Sequence, residues 1–129
     1  MDLFPPALRP DAFQSSRIRI AMVEADNMEP TLRSRRDYVA CAPIDHYDGE
    51  GLYLVDLHNC GIGTVDRCQA NGSLGGIWLL SDNKTYSRHT LSREDFEQLV
   101  LAKVVADIKL RDEATLRTLA PALPVQNAA

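Results

Sequence analysis

Leu99-Val100-Leu101-Ala102-Lys103-Val104-Val105-Ala106-Asp107-Ile108-Lys109-Leu110 decides the fold class, because it reads either as a buried helix or as a long strand. Its apolar density suits a buried helix. Its β-branched content and the alternation of Val104, Ala106, Ile108 and Leu110 favour the strand. With a strand here, the remaining helical signals are short. Ser92 is a good N-cap residue with Asp95 as a weak return partner, which predicts a single helical turn. Residues 112–119 predict another short helix, and Pro121 and Pro124 mark the frayed tail that completes 112–129.

Working back from that run, the chain is a series of short strands punctuated by turn residues. Residues 17–23 alternate polar and apolar side chains through Met22, as a half-buried strand does. Residues 38–42 are rich in strand formers and are closed by Pro43. Residues 52–57 place Leu52, Leu54 and Asp56 on one face and Tyr53, Val55 and Leu57 on the other. His58-Asn59-Cys60-Gly61 reads as a hairpin-like turn into a strand over 62–69. Residues 77–81 form an unbroken apolar run up to Ser81, which predicts a strand buried on both faces, with Trp78 in the core. The expectation is an all-β domain, mainly β with short helical turns. Pro5, Pro6 and Pro10 make residues 1–16 an arm or linker ahead of it.

With 129 residues the chain is one domain with a sizeable core. Its formal net charge of −4 lacks the basic excess of a surface that grips phosphate backbone by itself. The three cysteines, Cys41, Cys60 and Cys68, are odd in number and form no C-x-x-C pair, so they read as reduced cytosolic thiols. His46, Asp48, His58, Cys60, Cys68 and His89 match no zinc spacing, and neither a metal nor another cofactor is expected. No run reaches membrane-spanning length and no secretory signal opens the chain, so the expected location is cytoplasmic. Arg33, Arg35 and Arg36 read as a solvated turn.

The first strand leads into a corner, Glu24-Ala25-Asp26-Asn27-Met28-Glu29-Pro30-Thr31-Leu32. Pro30 fixes its own φ and biases Glu29 away from helix, so the chain turns sharply here, with a short turn of helix expected over 31–34. A rigid corner after a strand is a good place to display a working side chain. The residue displayed is Asn27, whose amide is a poor nucleophile and does not titrate.

The ordered set Asp26, Met28-Glu29-Pro30-Thr31-Leu32, Asp37-Tyr38-Val39, Gly51-Leu52-Tyr53 and Ser81-Asp82-Asn83-Lys84-Thr85-Tyr86 resembles the LexA-like self-cleaving domain of LexA, UmuD and phage CI-type repressors. The likeness covers residues 18–110 and implies the twisted β fold shared with signal peptidases, over a domain at 17–111. It also implies a serine nucleophile after the corner aspartate and a lysine base on the later strand. Here those positions hold Asn27 and Asp66, with Arg67 beside the latter, and a guanidinium stays protonated and cannot serve as base. No Ala-Gly or Cys-Gly bond precedes Asn27, and Cys60-Gly61 lies downstream in a turn. The resemblance therefore implies a pseudopeptidase, not an enzyme, with a cleft built from Asp26, Met28, Pro30, Thr31, Arg67, Ser81, Asp82 and Asn83. The Asn27 and Asp66 side chains either bond to each other or face solvent.

Relatives of that family pair through the C-terminal strand region, which implies a homodimer or higher oligomer using Val100, Lys103, Val104, Val105 and Ile108; the same strand can instead close its own sheet. DNA would be reached only through a separate DNA-binding domain, with no membrane partner. The expected function is thus a non-catalytic oligomerisation or regulatory domain of a phage- or prophage-type transcriptional repressor. Two rivals remain: a self-cleaving peptidase using Ser34, Thr31 or Cys41, and a stand-alone decoy whose cleft holds a partner's linker peptide.

Overall fold

A computed structural model describes residues 17–72 and 75–119. The arm at 1–16 and the tail from 120 onward lie outside the described residues. Among the described residues, seven strands, β1 (Arg19–Met22), β2 (Tyr38–Pro43), β3 (Gly51–Val55), β4 (Thr64–Asn71), β5 (Gly76–Leu80), β6 (His89–Ser92) and β7 (Val100–Ile108), accompany two helices, α1 (Arg93–Leu99) and α2 (Glu113–Leu119). The strands form one antiparallel sheet in the order β1-β2-β7-β3-β4-β5-β6. The protein is all-β in class.

The deciding run is indeed a strand, and it joins the two halves of the sheet. β7 pairs with β2 from Tyr38↔Ile108 to Pro43↔Ala102, and with β3 from Tyr53↔Lys103 to Val55↔Val100. Both ladders slip once, at Val105 against β2 and at Leu101 against β3. Each extra residue is a β-bulge, which bends the strand and increases its twist. The strand expected either to pair subunits or to close its own sheet therefore lies inside the sheet, between β2 and β3. Val100, counted among the pairing residues, is 6% exposed and belongs to the core, so it is withdrawn from any interface. Pairing to β3 ends at Lys103, which leaves residues 104–108 laddered on the β2 side.

The side chains of β3 alternate between two cores, one on each face of the sheet. Leu52 and Leu54 join Ala21, Val39, Cys41 and Ala102 under the corner residues Met28 and Leu32. Tyr53 and Val55 join Cys68, Ile77, Leu79 and Phe96 of α1 on the opposite face. Here the rings of Tyr47 and Tyr53 stack at 5.9 Å, and Phe96 meets Tyr53 edge-on at 5.4 Å. Ser92 caps α1, its hydroxyl accepting from Asp95 N at 3.0 Å as its position suggested, and the helix runs well beyond one turn.

Several local expectations change. Residues 31–34 form hydrogen-bonded turns, with Leu32 N donating to Met28 O, and no helix. On β5 the Ile77 and Leu79 face is fully buried, whereas on the other face only Gly76 is. Trp78 and Leu80 are half-buried, and Arg88 lies 4.4 Å over the Trp78 ring instead of core side chains. β6 carried no strand signal, because its four residues are exposed or half-buried and polar apart from Leu91.

Candidate functional site

The corner is built from local hydrogen bonds. Val23 N donates to Asp37 O at 2.9 Å and Arg35 N to Val23 O at 2.6 Å, so the chain closes on itself across residues 23–37. The Glu29 carboxylate accepts from Ser34 N at 3.0 Å, and the Ser34 hydroxyl donates to Glu24 O at 2.6 Å. The Glu29-Pro30 peptide is cis. Met28 is wholly buried and Leu32 nearly so, which nails the corner to the core beneath it. Arg33 is paired with Asp37 at 2.9 Å, and Arg35 lies 3.9 Å from Glu24, at the surface.

A second layer comes from the segment after β5. Asn83 N donates to Asn27 O at 2.9 Å, and Asn83 Nδ2 donates to Asp26 O at 3.1 Å. The Tyr86 hydroxyl donates to the Asp26 carboxylate, which pushes the phenol pKa up. Arg67 forks onto Asp82 at 2.9 and 2.8 Å, and the Thr31 hydroxyl donates to the same carboxylate. The Arg67 guanidinium holds the Asp82 carboxyl below its ordinary range. Asp26 and Asn27 are thus tied to Asn83, and Thr31 and Arg67 to Asp82, so two hydrogen-bonded groups drawn from three separate stretches adjoin at the 82–83 step. Pro30 lies at the exposed outer side of the corner.

Asn27 and Asp66 meet. The Asn27 amide donates to Asp66 Oδ1 at 3.2 Å and to Val65 O at 2.8 Å, and both side chains are buried. Pairing of β4 with β5 ends at Arg67↔Leu80, so the amide satisfies a carbonyl of β4 beyond the reach of the β5 ladder. Thr64 Oγ1 donates to Asp66 Oδ2 at 3.1 Å. Burial pushes the Asp66 carboxyl up to about 6, against the opposing pulls of the Thr64 hydroxyl and the field of His89.

The pair forms one wall of a cleft of about 170 Å³. Ser81, Tyr86, Ser87 and His89 line it on the side of β5 and β6, and Ala25, Leu57, His58 and Thr64 complete it. The turn bearing His58 is fastened by the buried Asp56 carboxylate, which accepts from Cys60 N at 3.0 Å and Gly61 N at 2.8 Å.

Of the other candidate nucleophiles, Ser34 donates its hydroxyl proton to the Glu24 carbonyl, and Thr31 donates to the Asp82 carboxylate, which Arg67 makes a weaker base. Cys41 is in the core, with burial pushing its thiol up to about 11, far from a nucleophilic thiolate at neutral pH. All three cysteines are free thiols, and among the described residues no group of three His, Cys, Asp or Glu side chains is arranged to hold a metal. Among the described residues no helix is long and apolar enough to cross a membrane.

No protein-family model matches the chain, and no curated protein matches it either. The site therefore rests on its geometry. Thr64, Ser87, His58 and His89 were not singled out as cleft residues. His58 sits in a turn, Ser87 in the connection ahead of β6, and Thr64 and His89 on different strands, with no spacing motif to connect them. Only β6, itself unsignalled, brings His89 to Asp66.

Proposed function

We propose that this chain is a non-catalytic LexA-like domain of a phage- or prophage-type transcriptional repressor, with subunit pairing as its work. Pairing would set two DNA-binding heads, carried on separate domains, over two operator half-sites. One observation carries the reading: the buried Asn27–Asp66 contact, at the two positions where self-cleaving relatives of that family hold serine and lysine. An amide donating to a carboxylate supplies neither a nucleophile nor an amine base. The corner and the 81–86 segment around this contact are nevertheless fully tied together. A cleft kept in form while its reacting groups are exchanged favours binding over cleavage as the retained function. The −4 charge agrees with DNA contact through another domain.

For pairing, the side of β7 facing β3 is open beyond Lys103, and Val105 is 52% exposed there. Such an unpaired stretch is a template for a symmetry mate. Sedimentation velocity on the full chain tests the proposal, with a dimer or higher oligomer expected in the micromolar range. A strict monomer at high micromolar concentration would sink it. The decoy reading draws support from the cleft, which remains open beside Asn27 and Asp66.

A further inference from the structure

Asp66 differs from the carboxylates that are paired with cations, and from Asp56, which is buried to a like degree but spends both oxygens on the backbone N–H groups of Cys60 and Gly61 and does not line the cleft. Asp82 has Arg67 at 2.8 Å, Asp37 has Arg33 at 2.9 Å, and Asp48 has Lys103 at 3.4 Å. Asp66 is 6% exposed, more buried than any of these, and its side-chain hydrogen bonds come from the neutral groups of Asn27 and Thr64. Among the described residues no side chain forms an ion pair with it. Its carboxyl nonetheless opens onto the cleft. A buried carboxylate without a counter-ion is costly, and a cation delivered from outside would relieve it.

We propose that this cleft is a recognition pocket for a lysine side chain, with Asp66 as the counter-ion of the ammonium group and Ala25 and Leu57 as the walls for its methylene stem. Size, donors and charge agree with that ligand. The cleft volume of about 170 Å³ suffices for a four-carbon ammonium chain, since a cavity of about 150 Å³ admits benzene. Each Asp66 oxygen already accepts one neutral hydrogen bond, Oδ1 from Asn27 and Oδ2 from Thr64, and each has further acceptor capacity. That arrangement suits a compact ammonium, which needs one oxygen and has three donors, better than the planar guanidinium fork, which needs both oxygens along one edge. The hydroxyls of Ser81 and Ser87 line the same space and can accept the remaining ammonium protons.

The ionisable groups around the pocket set the sign of its pH dependence. His58 and His89 line the cleft, Tyr86 is committed to Asp26, Tyr53 pairs with Asp66 across the ladder, and Cys68 lies on the same strand. Acid neutralises Asp66, and the loss of that negative charge opposes an incoming cation. Binding therefore strengthens as pH rises through about 6. The inference needs the cleft but not the repressor role: a monomer that binds lysine retains it, and a dimer that does not bind lysine refutes it.

The test is a titration of the ¹⁵N-labelled full chain with N-acetyl-lysine methylamide at pH 7.5, followed by heteronuclear NMR. Saturable shifts are expected at the Asn27 side-chain amide and at the backbone amides of Thr64 and Ser81, in the millimolar range. The norleucine derivative, which keeps an unbranched apolar stem but lacks the ammonium group, should bind about tenfold more weakly or worse. Moving to pH 5 should weaken the lysine derivative by about tenfold, one unit below the Asp66 midpoint. Asp66→Asn should abolish the preference for lysine over norleucine. Equal binding of the two derivatives, shifts scattered over the acidic surface, or an Asp66→Asn variant that keeps the preference would each overturn the proposal. The lysine–norleucine contrast needs no variant, so it decides the matter even if Asp66→Asn fails to fold.

Discussion

Asp66 couples the candidate site to stability. Burial raises its folded pKa to about 6, above an unfolded value of about 3.9. A raised folded pKa means that the native state holds the proton more tightly, so this stabilisation is complete below about pH 4 and is lost as pH rises through about 6. Two units correspond to about 3 kcal/mol. Asp82 and Asp37 run the other way, because their arginine partners lower their pKa and their contribution fades only in stronger acid. Between pH 5 and 8 the Asp66 term should therefore dominate among these three. Asp66→Asn, which keeps an acceptor oxygen for Asn27 and turns an NH2 donor toward Thr64 Oγ1, should flatten the loss of stability over that window and gain up to about 3 kcal/mol relative to the parent at pH 8. Urea denaturation across the window measures this, and parallel curves for parent and variant would refute the burial of an ionisable Asp66. The pairing of Asn27 with Asp66 was one of two alternatives open from the sequence. The separation of 39 residues was bridged only by an assumed strand order.

At the scale of the element, β5 and β6 approach closely at Gly76. A Cβ built there would meet Leu91 O, a backbone atom of β6, at 2.5 Å. The backbone cannot rotate away as a side chain could, so Gly76→Ala should force the strands apart. The expected loss is about 1–3 kcal/mol, read as a fall of several degrees in Tm; an unchanged Tm would contradict the close approach. Val105 makes the opposite case. It is a bulge residue and 52% exposed, so Val105→Glu should leave the far-ultraviolet circular dichroism and Tm of the chain in place. If residues 104–108 pair with a second copy, the same change brings carboxylates toward each other and should weaken self-association by about tenfold or more. Sedimentation equilibrium on both proteins reads it, and an unaltered association constant would remove β7 as the pairing surface. The strand itself was legible in its β-branched alternation, whereas its interior place in the sheet was not. That place follows from the ladders formed by β2 and β3, which no local pattern encodes.

For the molecule as a whole, the sharpest question is whether the corner and the β4 strand are a former catalytic pair. Asn27→Ser with Asp66→Lys would set a hydroxyl opposite an amine across a contact that now spans 3.2 Å. If the assignment is right, the double variant should cut a supplied peptide containing an Ala-Gly bond at raised pH, while either single change stays inert for want of nucleophile or base. Mass spectrometry of the peptide products checks it; a folded double variant with no cleavage at any pH would count against the LexA-like assignment. The result is independent of lysine recognition, which concerns the chain with Asp66 in place.

The sequence by itself determined the all-β class, the short helices at either side of the final strand, the proline-set corner and the placing of Asn27 on it. These are local properties: alternation, β-branching, a fixed φ and residue identity act over a few neighbours. Only the tertiary structure decided that β7 is interior, that Val100 is core and Trp78 is not, and that His89 and Thr64 stand beside Asp66. The raised Asp66 pKa belongs to the same group, because desolvation depends on everything packed around a carboxylate and not on the residues that flank it in the chain.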